Sequence, residues 1–306
     1  MGLGELAIAT GAVEVAIGLI VAGAGAAFTY VPAFAIATRD AGSSRAARWR
    51  SLGIASSGIG IGIVIATVMA TLTRAEVSST GWRWVWASEA VFAVLTALVV
   101  TLDARRRDLD LVALSGRARR LSSPRHWRTR GPAYFCFGVA YAVFANLSVK
   151  TWELGGLSKA AAATSLLIVA PAIIVAGFAT PFAMTHWNPR VLFSGSFAVM
   201  AAAVTLVAVS GHRVWAAWCA AALGGMVSSS IPVQLSGEVR SELADRADAD
   251  VVFTSMFGAL STMYATGALI GLLAGAIFDG QLTGLTWTFL AAGVLPLVGG
   301  VLVFIN

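Results

Sequence analysis

Along this 306-residue chain, apolar runs about as long as a bilayer is thick alternate with short polar intervals. Nine runs stand out, at roughly 13–37, 51–73, 83–103, 131–153, 160–184, 190–210, 213–235, 251–278 and 281–305. No Asp, Glu, Lys or Arg lies between Glu14 and Arg39, between Lys159 and Arg190, or between Asp250 and Asp279. The runs are apolar all round. Strands of a membrane barrel would alternate with a period of two, and a helix on a soluble core would carry one apolar stripe. The pattern predicts an all-α polytopic membrane protein of about nine transmembrane helices.

Composition agrees. Hydrophobic residues make up 58% of the chain and charged residues 12%, and the mean hydropathy is +0.82. A soluble domain of this length has no interior large enough to hide that much apolar surface. The formal charge of +6 would suggest a nucleic-acid partner in a soluble protein. Here it reads as basic loops on the cytoplasmic side of a membrane, with no nucleic-acid partner.

The longest polar interval, 104–130, carries nine of the 21 Lys+Arg. Numbering the intervals alternately places 39–50, 104–130, 185–190 and 236–250 on one side, with 16 Lys+Arg against 5 on the other. The excess marks the cytoplasm, in the cell (plasma) membrane. A single cysteine at Ser122, with Cys136 and Cys219 replaced, is therefore expected to react with a membrane-impermeant thiol reagent only from the cytoplasmic face. Labelling in intact cells would reverse the orientation.

The interval divides the chain unequally, with three runs before it (1–103) and six after (131–306). A shift of 200 residues lays the first three runs on the last three. Gly25 falls on Gly225, Pro32 on Pro232 and Gly58 on Gly258, and interval 39–50 falls on 239–250 without a gap. Repeats of this kind mark two-half transporters. The expectation is two six-helix halves, of which the first is present from its fourth helix onward.

On these residues the sequence resembles the major facilitator superfamily, whose two six-helix halves are joined by a long basic cytoplasmic loop. The resemblance takes the chain as the family's helices four to twelve. Gly53 and Gly62 stand where the family's fifth-helix motif has its two leading glycines. Ala66, Thr67 and Ala70 occupy the later places, with Thr67 in that of the proline. Gly81-Trp82-Arg83-Trp84 opens the next run as in many members. The loop 185–190, Thr-His-Trp-Asn-Pro-Arg, departs from the family's loop signature.

The resemblance implies a secondary transporter of a small organic solute, working by alternating access, with proton-coupled efflux as the finer expectation. It places Glu14, Tyr30, Tyr141, Asn146, Ser229 and Gln234 on cavity-lining helices. Gly58, Gly62, Gly267 and Gly271 have the spacing that lets helices approach closely. Pro32 and Pro232 are candidate bends near cytoplasmic ends. Two alternatives stay open: a truncated, non-transporting membrane subunit, and a drug/metabolite-type transporter of similar length. No Ser/His/Asp set, paired carboxylates or metal-ligand spacing supports an enzyme, a metal or a cofactor. Cys136 and Cys219 both sit within apolar runs.

Overall fold

The computed structural model of the chain describes residues 44–74, 81–106, 127–243, 249–278 and 280–305, together with positions 18, 33, 34, 36, 37 and 246. Run 13–37, with Glu14, Tyr30 and Pro32, and the central part of the basic interval lie almost wholly outside the described residues. Eight helices are described: α1 (Arg45–Arg74), α2 (Gly81–Arg106), α3 (Trp127–Leu154), α4 (Lys159–His186), α5 (Pro189–Ser210), α6 (Val214–Glu242), α7 (Ala249–Ile277) and α8 (Leu282–Phe304). Among the described residues, seven of these helices are long and apolar enough to cross a membrane.

The helices overrun the apolar runs where charge begins. α1 starts at Arg45, α3 at Trp127, and α6 continues to Glu242. The polar intervals are correspondingly shorter than the sequence pattern suggests. Hydropathy marks where the hydrocarbon ends; backbone hydrogen bonding continues past that point, because lipid headgroups and water tolerate a charged helical turn.

Two compact units divide the chain. One comprises 1–33 and 62–119; the other comprises 34–61 and 120–306. In the first, α2 carries an apolar face, from Val91 to Leu102, that is exposed along its length.

The second unit is a six-helix bundle, α3–α8, joined by the first half of α1. Its main packing pairs are α4 with α6, α3 with α7, α5 with α8, α3 with α8, and α5 with α6. Exchanging α3 with α6, α4 with α7 and α5 with α8 maps this set of pairs onto itself. Since α3 and α6 enter the bilayer from opposite sides, the relation is that of an inverted three-helix repeat.

Glycines set the close approaches within these pairs. Gly138 of α3 meets the Tyr264 carbonyl of α7, and Gly225 of α6 meets the Val169 carbonyl of α4. Each lies eleven residues after the first residue of its helix. Gly267 and Gly271 of α7 meet the carbonyls of Phe135 and Val139. In lipid no hydrophobic force presses helices together, so backbone-to-backbone contact through glycine supplies the packing.

Candidate substrate-facing site

The site is built from the middle of α3, α6 and α7. Tyr141, Ser228 and Tyr264 each lie thirteen to fifteen residues from both ends of their helices, which places them near the bilayer midplane. Tyr134, Phe137 and Tyr141 follow i, i+3, i+7 spacing and share one face of α3. Their rings stack successively, with centroids 5.7 and 5.6 Å apart. Tyr264 packs across all three, at 5.4, 5.6 and 6.2 Å. The approach at Gly138 makes this possible, because a side chain there would push the α7 backbone away. Tyr141 also faces the hydroxyl of Ser228 on α6.

Other polar groups within the bundle tie helices together. The hydroxyls of Ser56 (α1) and Ser229 (α6) are 2.8 Å apart and buried. Those of Thr180 (α4) and Ser230 (α6) are also 2.8 Å apart. Gln234 donates from Nε2 to the Ser196 hydroxyl of α5 at 3.0 Å. Two residues expected to face a cavity, Ser229 and Gln234, are thus buried and engaged with neighbouring helices. Interhelical hydrogen bonds in membranes average about 0.6 kcal/mol and reach about 1.7. Ser229→Ala is therefore expected to lower stability by about 0.6 kcal/mol, read by thermal unfolding in detergent; a loss above about 2 kcal/mol would mean the hydroxyl does more than bind Ser56.

Asn146 is exposed on α3 and donates from Nδ2 to the Ala142 carbonyl at 2.9 Å, within its own helix. Pro232 is buried within α6. The close contacts of α1 with α4 fall on Gly53, Ser57 and Gly60. Among the described residues, none comes within 4 Å of where a side chain at Gly58 or Gly62 would start.

Towards the cytoplasmic side lies a second constellation, one the sequence reading passed over. The Arg130 guanidinium bridges Glu238 at 3.1 Å and Glu242 at 2.7 Å, through the same nitrogen. Arg130 is 11% exposed, and its other terminal nitrogen is buried without a partner. A cavity of about 280 Å³ adjoins these groups and is bounded also by Trp49, Asn188 and Arg190. The six-membered ring of Trp49 lies against Gly237, filling the space a side chain there would need. Phe34 stacks on Phe257 at 5.7 Å, and Arg240 sits over the Phe253 ring at 5.6 Å.

Tyr264 and Arg130 are the main residues that sequence reasoning missed. Tyr264 is the single tyrosine of α7 and sits three residues before Gly267, so its spacing to the α7 glycines was the available signal. Among the described residues no group of His, Cys, Asp and Glu is placed to hold a metal ion.

Comparison with known proteins agrees with this architecture. The sequence model described as Major Facilitator Superfamily matches residues 1–247. No curated protein matches the chain. Among solved structures, the superfamily transporter FucP in its outward conformation aligns with a TM-score of 0.63 and 16% identity, over 99% of this chain and 79% of FucP. A variant of the E. coli fucose:proton symporter FucP aligns with a TM-score of 0.57 and 17% identity, over 85% of this chain and 69% of the symporter. At such identities the likeness shows the fold. With the family model covering most of the chain and the inverted-repeat bundle in place, the chain belongs to the major facilitator superfamily.

Proposed function

We propose that this protein is a secondary active transporter that carries a small organic solute across the cell membrane by alternating access. The observation that carries the reading is the pseudo-twofold bundle with rings and hydroxyls gathered at its middle. Inverted repeats place substrate sites near the midplane, where each side of the membrane is reached by rocking one element against another. Tyr141 and Tyr264 supply faces for the solute and Ser228 a hydroxyl, with Asn146 one turn outward along α3. Ser229 and Gln234 hold the walls of the site in register.

Proton coupling is part of the proposal. The fold is shared with a fucose:proton symporter. The carboxylates of Glu238, 16% exposed, and the more exposed Glu242 border a cavity on the cytoplasmic side, where protonation would release Arg130. The experiment is counterflow in proteoliposomes preloaded with a mixture of unlabelled sugars, glycosides, amines and carboxylic acids, using tracer amounts of each labelled member. An internal pH dye reports proton movement. Protein-dependent, saturable exchange of at least one solute is expected. Folded protein that exchanges none of them would reject the transport reading, and exchange without a pH change would reject the coupling alone.

A further inference from the structure

We infer that Tyr264 of α7 is a solute-contacting residue and that the solute is uncharged, with an apolar face and a hydrogen-bonding edge. The inference rests on the transport reading above and adds the substrate class and a residue outside the cavity-lining helices expected from the resemblance.

The first observation is where charge falls. In α3–α8 every Asp, Glu, Lys and Arg of the described residues lies within five residues of a helix end. The middle of this bundle therefore offers no counter-ion. A charged solute held at mid-membrane against this bundle would receive no compensation from it, and uncompensated charge there is costly even on the most lenient insertion scales, at about 2.5–3.5 kcal/mol.

The second observation is how the polar groups within these helices are used. Ser56, Ser229, Thr180, Ser230, Ser196 and Gln234 are taken up in bonds between helices. Tyr264 is half-buried, and its hydroxyl makes no hydrogen bond among the described residues. A phenol near the midplane with an unclaimed hydroxyl is expensive unless something in the site pairs with it.

The third observation is Pro232. It has no N–H to give to the carbonyl of Ser228, four residues earlier. An acceptor on α6 is thereby freed at the level of Tyr141 and Tyr264. Ring faces, a phenol donor and a carbonyl acceptor, without charge, match a neutral solute that stacks on one face and hydrogen-bonds at its rim.

The test compares three probes on one aromatic scaffold: phenyl β-glucoside (uncharged), phenyl β-glucuronide (anionic) and phenyltrimethylammonium (cationic). Each is titrated against the protein in lipid nanodiscs, with thermal unfolding as readout. The uncharged probe is expected to raise the unfolding temperature in a saturable way and the charged probes to leave it unchanged. Tyr264→Phe keeps the ring, so the ligand-free unfolding temperature should hold while the apparent affinity for the glucoside falls about tenfold. Protection by a charged probe, no protection by the glucoside, or unchanged affinity in Tyr264→Phe would each overturn the inference. Counterflow separates the two levels: exchange of a charged solute rejects the neutral class and leaves transport standing, whereas exchange of no solute rejects transport itself.

Discussion

Arg130→Met should lower the stability of the protein by about 3–5 kcal/mol, the usual cost of leaving a buried charge without its partner. Arg130 is 11% exposed, and Glu238 and Glu242 are 16% and 30% exposed, so water compensates little when the guanidinium goes. Both carboxylates would then face each other, four residues apart on α6, in a poorly solvated place. The double change Glu238→Gln with Glu242→Gln, added to Arg130→Met, should recover most of the loss, because amides do not repel and bury at lower cost. Thermal unfolding of the wild type, Arg130→Met and the triple variant in detergent measures both effects. If Arg130→Met unfolds at the wild-type temperature, the ion pairs contribute nothing. If the triple variant is as unstable as the single one, the loss comes from the packing of the arginine stem instead.

The second large effect is expected on α1. Gly53→Val should disrupt the α1–α4 contact, because a Cβ at Gly53 runs into the Gly177 carbonyl and the Pro181 ring. Backbone cannot swing aside as a side-chain tip does. Overpacking of this kind costs about 1–3 kcal/mol in cores that can partly adjust, and the backbone contact here puts Gly53→Val at the upper end. Gly58→Ala, five residues on, meets nothing within 4 Å. It should stabilise the helix by up to about 1 kcal/mol through helix propensity alone. The two variants differ in sign, so one pair of unfolding curves decides the matter. Equal behaviour would show that α1 does not pack on α4 through Gly53.

That contrast shows what a sequence alone reveals of such a protein. The membrane spans were legible because about twenty uncharged residues in a row have few other destinations. The helix ends were less so, since α6 runs on through Glu238, Arg240 and Glu242, where composition no longer reports on the backbone. Glycine spacing drew attention to Gly58 and Gly62. The stripe that touches α4 is Gly53, Ser57 and Gly60, which lies on the opposite face of the same helix. Periodicity gives the faces of a helix; which face meets which neighbour depends on long-range packing that no local pattern encodes. The same holds for the site. Tyr141 could be named from its helix. Its neighbours Ser228 and Tyr264 are far away in sequence, and Tyr264 reaches it because Gly138 admits the α7 backbone. Arg130 was hidden differently, as one arginine in a run of nine, until its helix placed it beside two glutamates.

Pro181 lies within α4, four residues after Gly177. Lacking an N–H, it leaves the Gly177 carbonyl without its helical donor. That oxygen points at Gly53, where the neighbouring helix offers a Cα–H. Contacts of this type are worth about 0.5–1 kcal/mol each. They involve no side chain that must find a rotamer and no charge that must be resolvated. Under the proposed alternating access, the α1–α4 contact would act as a reversible adhesion: firm when several such contacts act together, yet without a strong bond to break. A transporter that must part and rejoin helices at every cycle gains speed from such a joint, because neither state has to break a strong bond to reach the other.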